Sequence, residues 1–84
     1  MKKSLKKKVE EVLGMYYDEM YKELFGKGYS EEQESLLYAV LSSMSIEGIE
    51  NFCSWLSEYF LVESYDDVYF LQKYVSYRRV SEEV

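Results

Sequence analysis

Residues 45–60, SIEGIENFCSWLSEYF, constrain the fold of this chain more than any other stretch. At about 100° per residue, Ile46, Ile49, Phe52, Cys53, Leu56, Tyr59 and Phe60 fall on one arc of a helix. Glu47, Glu50, Asn51, Ser54 and Glu58 fall opposite, and Trp55 lies at the seam. One apolar arc with an acidic back describes a core helix, and the rest of the chain must supply a mate for that arc.

The remaining segments read as helices too. The chain has no proline, and its four glycines punctuate helical patterns rather than strands. Leu5, Val9, Val12, Leu13, Tyr16, Tyr17, Met20 and Leu24 share a broad face, which predicts a first helix over about 4–24 with Ser4 as its cap. Gly14 inside that pattern costs about 1 kcal/mol relative to Ala and marks a candidate close helix crossing. Gly26-Lys27-Gly28 ends the helix. Ser30 followed by Gln33 forms a capping-box pattern that opens a second helix over 31–43, with Leu36, Leu37, Val40, Leu41 and Met44 inward.

Ser45 ends that helix and caps the next, predicted over 46–61. Ser64 caps a last helix over 65–79, which carries two apolar stripes, Val68/Leu71/Val75 and Phe70/Tyr74/Tyr77. The expected fold is all-α, a single domain of four helices with residues 1–4 and 80–84 loosely ordered. Its packing is either an up-down bundle or a more orthogonal arrangement, to which the tight Ser45 hinge points. A chain of 84 residues has little room for a core, and one cysteine offers no internal disulfide. A homodimer through Phe70, Tyr74 and Tyr77 would extend the buried surface.

The composition excludes much chemistry. With no histidine, the commonest general base and the usual zinc ligand sets are missing. Cys53 lies on the apolar arc, where a thiol is inert and fits a reducing, cytoplasmic setting. The carboxylate pairs Glu19/Glu23, Glu47/Glu50 and Asp66/Asp67 fall on faces that periodicity exposes or at a helix start. No phosphate-binding loop or calcium-loop spacing occurs. The expectation is a protein without catalytic activity, cofactor or metal. Met1-Lys2-Lys3 resembles the charged start of a signal peptide, but Glu10, Glu11 and Asp18 interrupt the apolar run that should follow, and no membrane span is expected.

Charge and aromatics carry what functional signal there is. The net charge of −6 conceals a basic start (Lys2, Lys3, Lys6, Lys7, Lys8) and an acidic body, in which 14 acids stand against three lysines between residues 9 and 77. Aromatics make up 18% of the chain, more than the buried arcs can hold. Tyr16, Tyr17, Tyr59 and Tyr74 fit core positions with the hydroxyl at the rim. Tyr21, Tyr38, Tyr65, Tyr69, Tyr77 and Trp55 are surplus to the arcs, and Tyr and Trp commonly anchor interfaces.

The expected site is a partner-binding surface of Glu47, Glu50, Trp55, Glu58, Tyr38, Tyr69 and Tyr77, docking on a basic surface of a larger protein. Against a nucleic-acid-handling target those carboxylates would stand in for phosphates. In size, acidity and helix content the chain is similar to small immunity proteins and to phage- or virus-encoded inhibitors, although it carries none of their motifs. The alternative is a small dimeric DNA-binding regulator with a degenerate helix-turn-helix around Ala39, Met44, Ile49 and Phe52. Three glutamates and no Lys or Arg on its would-be recognition helix weigh against direct reading by that helix, so on this alternative the basic N-terminus with Arg78 and Arg79 would touch phosphate. A further alternative is a structural homo-oligomer.

Overall fold

The computed structural model describes residues 4–59 and 65–83, and all of the regular structure among them is helical. Five helices follow one another: α1 (Leu5–Leu13), α2 (Tyr17–Phe25), α3 (Glu31–Ser43), α4 (Ile46–Tyr59) and α5 (Tyr65–Glu83). They form two compact units, Met1–Met44 and Ser45–Val84. Among the described residues no helix is long and apolar enough to cross a membrane.

In the first unit α1 packs chiefly on α3, with α2 against both. Val9 and Val12 of α1, Met20 and Leu24 of α2, and Leu36, Leu37, Val40 and Leu41 of α3 are buried. Ser4 Oγ accepts a hydrogen bond from the Lys7 N–H at 3.4 Å, so Ser4 caps α1 rather than belonging to a loose end.

The single helix expected over 4–24 is two. Gly14 caps the end of α1, its N–H shared between the Glu10 and Glu11 carbonyls at 3.2 Å each. The chain is then extended at Tyr16 (φ −68, ψ 159), which becomes the N-cap of α2. The apolar period runs through this break, so the pattern alone does not register it. Tyr16 shows the consequence: expected in the core, it is 82% exposed. Nor does Gly14 mark a close crossing, since a Cβ added there would meet only its own helix's carbonyls, at 3.6 Å.

At the end of α2 the two glycines divide the work. Gly26 stays right-handed, and a Cβ there would lie 2.6 Å from the Lys22 carbonyl oxygen; Gly28 takes the left-handed conformation, φ +81. Ser30 Oγ then accepts from the Gln33 N–H at 3.2 Å and starts α3 over the expected residues. The reciprocal half of the capping box goes elsewhere. Among the described residues of the unit Gln33 is the buried polar side chain, and its Nε2 donates to the carbonyls of Leu24, at 3.0 Å, and Glu23. It thereby satisfies two acceptors at the end of α2 that the helix itself cannot.

The second unit is a hairpin of α4 and α5. Ser45 Oγ accepts from the Gly48 N–H at 3.0 Å, the cap expected there. Ile49, Phe52, Cys53 and Leu56 of α4 are buried, as are Leu71 and Val75 of α5. One expectation for α4 changes. Tyr59 is 65% exposed although it lies on the apolar arc, and Phe60 falls outside the described residues. Also outside them are Lys2, Lys3, the Leu61–Glu63 connection, the Ser64 cap and Val84. The loose tail expected over 80–84 is helical through Glu83, supported by an Arg78–Glu82 pair one turn apart at 3.1 Å.

Candidate interaction surface

The expected partner-binding residues fall in both units. Tyr38 is on α3 of the first unit, about half exposed. Glu47, Glu50, Trp55 and Glu58 are on α4, and Tyr69 and Tyr77 on α5, all in the second. That unit also carries most of the acidity. Residues 45–84 hold eight acids against three cations, a net −5, whereas residues 1–44 hold eight acids against seven lysines, a net −1.

Between α4 and α5 runs an open groove of about 740 Å³. Cys53 and Val75, 6% and 8% exposed, form its narrow apolar floor, Ser54, Ser57 and Ser76 its small polar walls, and Glu58 its outer edge. A smaller recess of about 260 Å³ shares Ser57 and Gln72 with the groove and prolongs it past Val68 to Tyr65 and Tyr69. Glu50 and Arg79 line the other end, where their side chains pair at 2.5 Å. Because Glu50 pairs with Arg79 while Ser57 lines the recess at the other end with Tyr65 and Val68, the two helices run antiparallel.

Of the expected residues, then, the fold brings Glu50, Glu58 and Tyr69 to one groove. Glu47 is exposed on the first turn of α4. Trp55 belongs to an aromatic row: its ring lies 6.2 Å from Phe52 and 5.5 Å from Tyr59. At about 100° per residue the row of Phe52, Trp55 and Tyr59 centres on the side of α4 roughly opposite the groove residues, so row and groove are separate faces. Tyr77 is 68% exposed, and its ring lies 6.4 Å from that of Tyr74.

The charges are not equivalent. Arg79 is held by Glu50, Arg78 by Glu82, and the Lys73 ammonium lies over the Tyr69 ring at 4.9 Å. Glu47, Glu58 and Asp66 have no ion-pair partner among the described residues. Glu50, expected as a free docking carboxylate, is instead half of an ion pair within its own hairpin. Periodicity shows which face a residue occupies, not which side chain 29 positions away reaches it.

The carboxylate pairs differ from one another in the same way. Glu23, expected on a solvated face, is partly buried and bridges Lys27, at 3.0 Å, and Lys8, at 3.5 Å. The Lys27 hydrogen bond, reinforced by the Lys8 charge, holds its carboxyl below the usual range against the opposing pull of burial. Asp66 and Asp67 lie in the first turn of α5, where acids stabilise the helix dipole.

Burial pushes the Cys53 thiol up to about 11, with Glu50 adding to the shift, which leaves very little thiolate at neutral pH. Among the described residues no group of three His, Cys, Asp or Glu side chains is placed to hold a metal.

Sequence reasoning missed Arg79 as a groove residue, Tyr65 at the far end and the serine walls. Serines at 54, 57 and 76 read as ordinary solvent-facing positions until a second helix is laid beside them.

A second apolar recess, about 510 Å³, lies between α1 and α3 and is lined by Leu5, Val9, Leu13 and Ala39. It explains why Leu5 and Leu13, expected on the packed face, remain 49% and 36% exposed. Comparison with family models, with curated proteins and with solved structures finds no match to this chain.

Proposed function

We propose that this chain is a non-enzymatic protein-binding module, an inhibitor or adaptor, whose second helical unit docks on a basic surface of a larger protein. The observation that carries the reading is the state of the charges rather than their number. The cations of the hairpin are engaged by Glu50, Glu82 and the Tyr69 ring, while Glu47, Glu58 and Asp66 are left without an ion-pair partner among the described residues. An approaching partner meets uncompensated carboxylate flanked by exposed Tyr65 and Tyr69, a combination that steers and anchors a cationic surface. If the target handles nucleic acid, these carboxylates occupy the positions of phosphates.

The DNA-regulator alternative draws less support. Of the cations it needs, Lys8 is paired with Glu23, Arg78 with Glu82 and Arg79 with Glu50. Self-association retains one specific observation in its favour: Tyr77 and Val80 on α5 are 68% and 65% exposed, beside half-buried Phe70 and Tyr74.

The test is affinity capture from host lysate with nuclease present, comparing wild type with Glu47→Lys and Glu58→Lys. Both sites are exposed and unpaired, so their reversal leaves the fold intact. A protein captured by the wild type should bind each variant at least tenfold more weakly, and less tightly as salt rises. Equal capture by all three chains refutes the acidic docking surface. Capture that vanishes with nuclease revives the DNA reading.

A further inference from the structure

We infer that the groove between α4 and α5 receives one amphipathic helix of a basic partner, its apolar edge on Cys53 and Val75 and its cationic edge on Glu58. This rests on the protein-binding reading and names where on the molecule, and with what kind of segment, the binding occurs.

Shape comes first. Two antiparallel helices in contact leave a furrow along their seam, and a third helix fills such a furrow by setting its ridge of side chains into it. Here the furrow is open, about 740 Å³, and its walls are small: Ser54 and Ser57 on α4 and Ser76 on α5. Side chains of that size let another helix approach to the short end of the usual 8–10 Å axis separation, roughly 8 Å. From Arg79 to Tyr65 the groove and the recess that prolongs it follow 15 residues of α5, a rise of about 21 Å, which matches an occupant of about four turns.

An extended segment has less to hold it. Among the described residues there is no sheet edge, and the backbone groups along α4 and α5 are taken up within their own helices, so strand addition has no donors or acceptors to use.

Charge then selects the occupant. The cation on the groove, Arg79, is neutralised by Glu50 at one end, while Glu58 on the rim has no ion-pair partner among the described residues. An acidic helix would be repelled by Glu58 and would find Arg79 already taken. A helix with Lys or Arg along one edge gains the Glu58 contact while its apolar edge covers Cys53 and Val75.

The probe is a dye-labelled 16-residue Leu/Lys amphipathic peptide, with its Leu/Glu counterpart as control, titrated with the full chain and read by fluorescence anisotropy. The Lys peptide should bind and the Glu peptide should not. Ser57→Trp, which blocks the groove without altering charge, and Glu58→Lys should each weaken binding at least tenfold, whereas Glu34→Lys, the same charge reversal at an exposed site on α3 of the first unit, should change it less than threefold.

Should Ser57→Trp lose its helical circular dichroism, Ser76→Trp blocks the groove from the other wall. Amide shift mapping on the unmutated chain reads the same point without any variant, with perturbations expected at 53–58 and 72–79. Undiminished binding to both folded groove-filling variants, shifts confined to other faces, equal binding of the Glu peptide, or no binding of the Lys peptide overturns the groove. If lysate capture still depends on Glu47 and Glu58 in any of those cases, the protein-binding reading survives without it. A concentration-dependent dimer that Ser57→Trp converts to monomer would instead assign the groove to a second copy of the chain.

Discussion

Gln33 offers the sharpest test of how the first unit is held together. Its buried Nε2 donates to the carbonyls of Leu24 and Glu23, so one side chain of α3 closes the end of α2. Gln33→Met keeps the length and the apolar contact of the side chain but removes the donor. Two net hydrogen bonds at about 1 kcal/mol each are lost, and the acceptors stay partly desolvated, for a total of about 2–4 kcal/mol. Gln33→Glu should be worse at neutral pH, by about 3–5 kcal/mol, because it buries an uncompensated carboxylate against two carbonyl oxygens.

Acid separates the two variants. The introduced carboxyl is held above its unfolded value by burial and by the facing carbonyls, so the native state binds its proton more tightly than the unfolded chain does. When neutral it can donate one hydrogen bond, and that stabilising contribution is fully present below about pH 4.3 and is lost as pH rises through the raised native value. The gap between Gln33→Glu and wild type should therefore be smallest near pH 4 and widen toward pH 7, while the gap for Gln33→Met stays level.

Urea unfolding followed by circular dichroism at 222 nm measures both. With a slope of about 1 kcal/mol/M for a chain this small, a loss of 2–4 kcal/mol moves the midpoint by about 2–4 M. A Gln33→Met variant within about 0.5 kcal/mol of wild type, or a Gln33→Glu gap that ignores pH, would refute this account of the α2 end.

Two glycines at helix ends should respond to alanine with opposite signs. Gly14→Ala fits a right-handed, exposed site with ordinary contacts and should stabilise by about 0.4–1 kcal/mol, whereas Gly26→Ala drives a Cβ to 2.6 Å from the Lys22 carbonyl oxygen and should destabilise by about 1–2 kcal/mol; thermal melts of the two decide it. Glu23, whose carboxyl the Lys27 and Lys8 partners hold low, contributes stability that is present above its unfolded value and lost as pH falls through the native one. Lys27→Met should flatten that acid loss, and melts from pH 3 to pH 6 that match wild type in shape would sink the assignment.

The one-sided helices were legible because their pattern had one solution. α3 and the start of α4 lie where Ser30, Ser45 and the apolar arcs place them, since a cap followed by a single buried face leaves no alternative register. The α1–α2 break was not legible, because its two halves keep the same period on either side of Gly14 and only the backbone at Tyr16 turns aside. Gln33 is a subtler case. A glutamine three residues after a serine suits a capping box, and the same side chain also suits a bond to another helix's carbonyls; the sequence holds both options and tertiary packing takes the second.

The acidic surface shows the same division at the level of function. Glu47, Glu50 and Glu58 are indistinguishable on a helical wheel, and the wheel is right that all three avoid the core. What decides whether a carboxylate can recognise a partner is whether a neighbour has already claimed it, and that is a property of α5. Arg79 reaches Glu50 because the hairpin is antiparallel with Ser57 opposite Gln72, a register no local pattern encodes. Shifting α5 by one turn would offer Glu50 a different residue and place another beside Glu58. Net charge therefore locates the docking unit, but the hairpin register chooses the residue that docks, which is why reversal of Glu58 should cost more binding than reversal of Glu47 although both are exposed glutamates on one helix.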